Sequence, residues 1–309
     1  MEEAPQIIAD ALALGLGACA GSFAVTVAYR LPRDISIATP RSFCENCERP
    51  IPWWANVPIF AYLAARGRCL MCGASISARH LGGELALALA ALYLYATFPL
   101  GDAIARFVFV TALLISSLVD YDWRLIPNLI TFPGVPVGFA MAALLMPEVG
   151  WKDSLIGIGV GGGVLLLTGV AYQLVRGREG VGLGDVFLLA MVGAFIGWQG
   201  VMFTLFFGAL IGSFGGLAVG LFGTPREAPE PPAFARERAE TPAPPAHAGS
   251  MAAEAAIDPM ASQEPDSAAA ENEEHTLLAT TVPFGPFLSL AAAFYALFQP
   301  QLQSWYLSR

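Results

Sequence analysis

Long apolar runs separated by short polar breaks constrain this chain of 309 residues more than any other feature. A helix needs about 20 mainly apolar residues to cross the roughly 30 Å hydrocarbon core of a bilayer. Only 13% of the residues are charged, whereas a soluble globular domain is nearer one quarter charged. The pattern therefore predicts an all-α polytopic membrane protein and disfavours a very apolar soluble domain.

Eight runs are candidate transmembrane helices, although the sixth is short and contains glycine. The first run is interpreted as a retained span, because Glu2, Glu3 and Asp10 make its flank acidic where a signal peptide needs positive charge. The approximate limits of the eight runs are 7–28, 82–98, 103–120, 128–146, 154–175, 185–198, 200–222 and 284–306.

The distribution of arginine predicts which side of the membrane each loop faces, because cytoplasmic loops retain positive charge. The segment 29–81 contains seven arginines, and Arg124 and the loop 176–184 add more on the same predicted side. The opposite side holds little beyond Lys152 and Arg106. The segment 29–81 is therefore predicted to be cytoplasmic, and eight spans then place both termini outside.

Nearly all of the net charge belongs to one segment. Residues 223–281 include eleven acidic residues and three arginines, which account for −8 of the formal net charge of −9. Because this segment is rich in Ala, Pro and Glu with almost no aromatic residues, it is predicted to be a disordered cytoplasmic loop. Docking of an assembly partner and a tolerated insertion both stay open for it. No strongly basic run indicates a nucleic-acid partner.

These patterns divide the chain into five parts. Two of them are single helices at either end, and the longest is a bundle of spans. The parts are a first transmembrane helix (1–28), a cytoplasmic four-cysteine zinc module (29–81), a transmembrane core (82–222), the acidic loop (223–281) and a last transmembrane helix (282–309).

Four of the five cysteines form two CxxC pairs separated by 21 residues, Cys44 with Cys47 and Cys69 with Cys72. Two such pairs supply four thiolates for a tetrahedral zinc ion, and a site with four protein ligands is closed and structural. A metal also explains how a loop of about 50 residues with so small a core could be ordered. Reduced thiols without metal are the alternative, and Cys19, alone in an apolar run, is interpreted as a packing residue.

Acidic residues at the membrane edge mark a second candidate site. Placing an ionisable group there costs free energy, so its presence indicates a functional role. Asp120 and Asp122 lie at the cytoplasmic end of the third span, and Asp185 starts the sixth. The predicted topology puts them on one face at similar depth. Two close carboxylates share a proton, so one can deprotonate a water molecule while the other donates to a carbonyl.

Each of these aspartates also has a plainer interpretation. Asp185 could be a helix N-cap, and Asp122 could pair with Arg124 or face water. A transporter with carboxylates along its path would also place acids in spans. An HExxH zinc protease is excluded because the motif is absent, and no histidine lies within a span to serve a serine protease.

Several motifs together resemble those of bacterial type IV prepilin peptidases, in that family's order and over nearly the whole chain except 223–281. Each motif combines glycine, proline or cysteine with polar residues at fixed spacing. They are Gly21–Pro32, Ile51–Pro58, Tyr62–Cys69, the four-cysteine loop, the Asp120 segment ending in Ile126-Pro127-Asn128, the Gly182-Leu-Gly184-Asp185 motif and Pro283–Phe287.

The resemblance implies a GxGD-type aspartyl leader peptidase of the bacterial inner membrane, with its zinc module and active site facing the cytoplasm. It matches Asp185 to one catalytic aspartate and Asp120, seven residues before Pro127, to the other. The implied substrates are type IV prepilins or type II secretion pseudopilins, with pilus or secretion assembly proteins as further partners. It also implies N-methylation of the new N-terminus with S-adenosylmethionine, and a peptidase without methyl transfer is the alternative.

The chain departs from the family pattern in two places and leaves two rival functions open. Phe187 stands where the family usually has lysine, and the acidic insertion is unusual. Glu84 resembles a family glutamate and is interpreted as a charge at a helix start. The rivals are a carboxylate-lined transporter and a non-enzymatic zinc-bearing assembly factor.

Overall fold

The computed structural model describes residues 3–176, 182–222 and 284–307, and these are almost entirely helical. Isolated β-bridges and two short 3₁₀-helices occur between the first and third α-helices. The predicted disordered loop 223–281 lies outside the described residues. The α-helices are α1 (Glu3–Arg30), α2 (Phe60–Ala64), α3 (Ala78–Thr97), α4 (Leu100–Trp123), α5 (Asn128–Leu145), α6 (Gly150–Arg176), α7 (Leu183–Phe222) and α8 (Gly285–Leu307).

Five of the described helices are long and apolar enough to cross a membrane, judged by length and composition. They are α1, α4, α5, α6 and α7. Helices α3 and α8 occupy the predicted second and last spans but are not among those five. The all-helical class is confirmed, and the count of eight spans stays a prediction.

Helix α4 is flanked by two antiparallel neighbours. Its first turn meets the end of α5, since Gly101 faces Leu145. Its other end meets the start of α8, where Gly285 contacts Asp120. Because α5 and α8 both run antiparallel to α4, they run parallel to each other.

Helix α7 spans 40 residues but is interrupted at Gly197, whose φ of 71° and ψ of −179° are not helical. Before this break it follows α5 in the same direction, since Gly134 faces Met191 and Gly138 faces Phe195. Glycine adopts a positive φ without strain, so residue 197 is the natural point for the chain to turn.

After Gly197 the chain runs antiparallel to α8. Phe203 stacks on Phe294, and further along Gly208 faces Leu288. Since α5 and α8 are parallel, the two parts of α7 run in opposite directions. They correspond to the separate sixth and seventh spans predicted from the sequence.

A buried arginine ties α4 to α8 at the end away from Asp120. Arg106 is fully buried, and its Nε donates to Asp102 Oδ1 at 2.7 Å. Its Nη1 donates to the carbonyl oxygen of Ala296, also at 2.7 Å. Ala296 lies four residues before Pro300, which has no N–H to bond that carbonyl within the helix. The guanidinium therefore replaces a missing helical hydrogen bond, and Asp102 neutralises its charge.

We expect Arg106→Met to lower the free energy of unfolding by about 3 kcal/mol, because it leaves Asp102 buried and unpaired. Pro300→Ala should restore about 1 kcal/mol in that background by supplying the absent N–H to Ala296. Thermal denaturation of the purified protein in detergent measures both effects. An equal gain from Pro300→Ala in the wild-type background would contradict the assigned role of Arg106.

Candidate active site and metal centre

Asp120 lies in the last turn of α4 and is buried, with 6% of its surface exposed. Its Oδ2 accepts a hydrogen bond from the N–H of Gly285, the first residue of α8, at 2.9 Å. The first N–H groups of a helix have no partner inside it, and the helix dipole makes that end favourable for negative charge. The start of α8 therefore provides a site for the Asp120 carboxylate.

The residue at position 285 has to be very small. A Cβ atom added to Gly285 would lie 2.5 Å from Asp120 Oδ2, a distance that real Cβ contacts essentially never show. Pro286 follows directly, and proline suits the first turn of a helix because its missing N–H would be unpaired there anyway. The Gly-Pro pair thus lets α8 begin directly against the carboxylate.

Asp185 is the third residue of α7 and is half-buried. It is not the residue preceding the helix, so the N-cap interpretation does not hold. Its backbone N–H donates to the carbonyl of Gly182 at 3.1 Å, and no described residue donates a hydrogen bond to its carboxylate. The carboxylate is thus held at the helix start without a fixed side-chain partner in the described part of the chain.

The structure brings Asp185 and Asp120 to the same end of the bundle. Gly184 packs against Ile126, just after the end of α4, where an added Cβ would lie 2.9 Å from the Ile126 Cβ. This contact holds the start of α7 beside the end of α4. Two carboxylates in this arrangement can share one proton and act as an acid and a base.

Asp122 has a different environment from Asp120. Both of its oxygens accept hydrogen bonds from Nη1 of Arg79, at 2.7 and 2.6 Å. Arg79, in the first turn of α3, is therefore its ion-pair partner, whereas the sequence suggested Arg124 or water. Asp122 therefore joins α3 to α4.

Phe187, in place of the family's usual lysine, packs against α5. Its ring meets the ring of Phe132 edge to face, with centroids 5.4 Å apart. A lysine at this position would bring a positive charge two residues from Asp185. In this chain the position contributes an apolar contact instead.

The four predicted metal ligands lie together. The sulfur atoms of Cys44, Cys47, Cys69 and Cys72 are all within 4.8 Å of one another, and they could hold a metal ion. Cys19 is not part of the group. Four soft thiolate donors at this separation suit a tetrahedral metal.

The two CxxC pairs sit in equivalent backbone turns. One is closed by a bridge between Phe43 and Pro50, the other by a bridge between Arg68 and Ser75. In each, the N–H of the first cysteine donates to the carbonyl five residues later, at 3.0 and 2.8 Å. The residue after each second cysteine has positive φ, 54° at Glu48 and 72° at Gly73. Gly73 meets this requirement without strain.

Hydrogen bonds prepare part of the cysteine cluster for a metal. The backbone N–H of Ala74 and the side chain of Asn46 lower the pKa of Cys72 to about 6. Backbone N–H groups of Cys72 and Met71 also lower the pKa of Cys69. Burial raises the pKa of Cys44 to about 12, so that thiol needs a nearby cation to ionise at neutral pH.

Glu84 fixes the cysteine module to the bundle. It is the seventh residue of α3 and is buried, so the interpretation as a charge at a helix start does not hold. Its Oε2 accepts a hydrogen bond from the backbone N–H of Ile59 at 2.7 Å. Ile59 has a φ of 63°, which is strained for a β-branched residue. Sequence patterns do not indicate this pairing, because the partner of Glu84 is a main-chain group.

Two family models match the chain in succession. The model described as Bacterial Peptidase A24 N-terminal domain matches residues 16–98, which include the four cysteines. The model described as Type IV leader peptidase family matches residues 107–217, which include Asp120 and Asp185. No solved structure matches the chain at a significant level.

Curated relatives named prepilin leader peptidase/N-methyltransferase are about one third identical to this chain over the matched regions. The protein from Myxococcus xanthus (strain DK1622) is 34% identical over 218 residues, or 69% of this chain and 64% of the relative. That from Aeromonas hydrophila is 35% identical over 185 residues, or 60% of this chain and 63% of the relative. The chain thus covers less than two thirds of either protein.

A third relative of the same name, from Stutzerimonas stutzeri, is 33% identical over 225 residues. The match covers 65% of this chain and 78% of the relative. The two family models cover, in succession, the segment that contains the cysteine cluster and the helices that carry the aspartates. On these matches, the chain belongs to the type IV leader peptidase family.

Proposed function

We propose that this protein is a membrane aspartyl endopeptidase that removes the leader peptide of type IV prepilins or type II secretion pseudopilins. The observation that carries the proposal is that the start of α7, which bears Asp185, packs beside the end of α4, which bears Asp120. The names of the curated relatives support the same activity. Asp122, held by Arg79, is not assigned to catalysis.

In the proposed reaction the two carboxylates share one proton. The ionised one takes a proton from water as the water oxygen attacks the scissile carbonyl carbon, while the protonated one donates to the carbonyl oxygen. Collapse of the tetrahedral intermediate breaks the C–N bond, and the leaving nitrogen receives a proton. The N–H of Gly285 keeps Asp120 oriented throughout.

The proposed setting is the bacterial inner membrane, with the cysteine module and both aspartates facing the cytoplasm. The hydrophobic stem of a prepilin would lie beside the spans in the lipid bilayer, and its basic leader would stay in the cytoplasm. Pilus or secretion assembly proteins are proposed as further partners.

A structural zinc ion is proposed for Cys44, Cys47, Cys69 and Cys72. Their number, chemistry and spacing support zinc, and a closed four-thiolate site leaves no position for a substrate. The metal would hold the two CxxC turns together in a segment with little apolar core. Zinc would then fold the module rather than take part in cleavage.

The proposed second activity is N-methylation of the newly exposed N-terminus with S-adenosylmethionine, as the names of the relatives suggest. A peptidase without methyl transfer is the alternative. The transporter hypothesis is disfavoured, because the acids of a transport path lie near the bilayer midplane. Here Asp120 lies three residues before the end of α4, and Asp185 is the third residue of α7.

We expect Asp120→Asn and Asp185→Asn each to reduce leader cleavage at least about a thousandfold, because removing either member of an acid–base pair disables both steps. Asp122→Asn should keep most of the activity. The assay is cleavage of a model prepilin in membranes, with insertion of each variant checked in parallel. Wild-type cleavage by all three variants would contradict the mechanism. Cleavage by wild type but not by Asp122→Asn would reassign the first carboxylate.

Gly285→Ala should impair cleavage strongly, because the added methyl group would displace Asp120 Oδ2. Gly182→Ala is the matched control, since a Cβ there meets Asp185 Oδ2 at an ordinary 3.7 Å. The same cleavage assay measures both variants. A greater loss in Gly182→Ala would indicate that the substrate backbone approaches residue 182 closely.

The purified protein should contain one zinc ion per chain, measured by elemental analysis. Cys47→Ser and Cys72→Ser should lose the metal and lower the thermal denaturation temperature, because the module depends on all four ligands. Cys19→Ser should retain both the metal and the stability. Full zinc content in Cys72→Ser would rule out the four-cysteine site.

A further inference from the structure

One face of α5 is left uncovered by the described elements. Its exposed residues recur at intervals of three and four positions, the spacing of a single helical face. The opposite face packs on α7, where Gly138 faces Phe195. No residue of α5 is charged, so the uncovered face is apolar. This face, named here the α5 stripe, consists of Leu129, Phe132, Pro133, Pro136, Val137 and Ala140.

Two prolines of the α5 stripe leave main-chain carbonyls without their regular donors. Pro133 and Pro136 lie inside the helix and have no N–H. The carbonyls four residues earlier, those of Leu129 and Phe132, therefore lack the usual helical hydrogen bond. Among the described residues, no side chain and no N–H from another element donates to either carbonyl. Lipid acyl chains have no donors, so this face needs a partner other than lipid.

The two carbonyls lie beside the start of α7, which carries Asp185. The contacts that pack α5 on α7 keep a constant offset, and this offset puts Asn128 level with Asp185. The ring of Phe132 also meets the ring of Phe187, two residues after Asp185, with centroids 5.4 Å apart. The carbonyl of Leu129 is thus at the depth of the aspartate, and that of Phe132 lies about one turn further into the bundle.

We infer that the α5 stripe binds the substrate segment that follows the scissile bond, in an extended conformation; the inference rests on the proposed peptidase function. A peptide bond inside a helix is shielded by the neighbouring turns, so the cleavage site has to unwind before water and two carboxylates can reach it. Unwinding in apolar surroundings leaves backbone N–H groups without acceptors, which is costly. The carbonyls of Leu129 and Phe132 supply acceptors beside the aspartates.

The chemistry of the stripe fits the apolar stem of the substrate. It offers acceptors and apolar side chains but no charge, so it does not suit a basic leader or a phosphate headgroup. The two carbonyls are about 4.5 Å apart along the helix axis, and an extended chain rises about 3.3 Å per residue. Neighbouring residues of one extended segment can therefore reach both. Because the carbonyls continue from Asp185 into the bundle, those residues belong to the stem.

The first test restores the missing donors. Pro133→Ala and Pro136→Ala should each lower kcat/KM for cleavage of a model prepilin in proteoliposomes about fivefold, because the new N–H occupies the carbonyl that the substrate needs. The thermal denaturation temperature should stay the same or rise, because α5 gains a hydrogen bond. A merely structural role of the prolines would not combine these two effects.

Pro300→Ala is the matched control for these variants. It also removes a proline from the interior of a helix, but the carbonyl concerned, that of Ala296, is already bonded by Arg106. Cleavage by Pro300→Ala should therefore stay at the wild-type rate.

Photo-cross-linking locates the substrate without relying on turnover. Benzoylphenylalanine replaces Val137 of the stripe in the Asp185→Asn variant, which leaves the prepilin uncut. Ile156 of α6 is the matched control position, because it is 51% exposed against 43% for Val137. It also lies at a similar depth, since its neighbour Gly157 contacts Gly193, which the offset between α5 and α7 puts level with residue 136. The probe at 137 should label the prepilin stem, and the probe at 156 should label lipid.

The outcomes separate this inference from the proposed function. Wild-type kcat/KM in both Pro133→Ala and Pro136→Ala would overturn the inference and leave the peptidase function intact, as would labelling of lipid alone from position 137. Lost cleavage together with a lower denaturation temperature would assign the prolines to the fold and also overturn it. Absence of cleavage by the wild-type protein would overturn the proposed function itself. Weaker cleavage by a protein of equal or greater stability, with the stem labelled from position 137, supports binding on α5.

Discussion

The hydrogen bond between Gly285 N–H and Asp120 Oδ2 joins two groups that would each be unstable alone. A carboxylate buried in an apolar bundle is costly without a donor, and the first N–H groups of a helix lack partners inside it. These two residues are 165 positions apart, so the bond also sets how α8 lies on α4. At the other end the same pair of helices is joined by Arg106, which bonds the carbonyl that Pro300 leaves unpaired. Each bond gives a partner to a main-chain group of α8 that has none within the helix.

The position of Asp185 depends on glycine rather than on polar bonds. Gly184 brings the start of α7 within contact of Ile126, just beyond the end of α4. Gly197 then reverses the chain, so that the second part of α7 packs along α8. One helix therefore carries Asp185 and also covers α8, the helix whose first residue holds Asp120. Helices α4, α7 and α8 therefore all contact one another around the proposed acid–base pair.

Features encoded by short-range sequence patterns were predictable. Contacts between residues far apart in the sequence were not. The cysteine cluster followed from two CxxC pairs, and the two directions of α7 followed from two separate apolar runs. The choice of Asp120 over Asp122 came from a family resemblance, and the structure adds different partners for the two. The pairing of Asp122 with Arg79 depends on how α3 packs beside α4, which no short-range signal encodes. Likewise Pro300 indicates that a carbonyl is unpaired but not that Arg106 would bond it.

Helix α3 links the cysteine module to the aspartates. Immediately after the second CxxC turn, Ser77 caps the start of α3 by accepting from the N–H of Arg79 at 3.4 Å. The side chain of Arg79 in turn holds Asp122, two residues from Asp120. One turn further along, Glu84 fixes the module through Ile59. The folding of the module therefore positions the start of α3. Through the pair between Arg79 and Asp122, it also affects the position of the end of α4. In the proposed function, a zinc ion in the module would influence cleavage without contacting the substrate. It would do so through α3 and Arg79, because the position of Asp120 depends on the position of the end of α4.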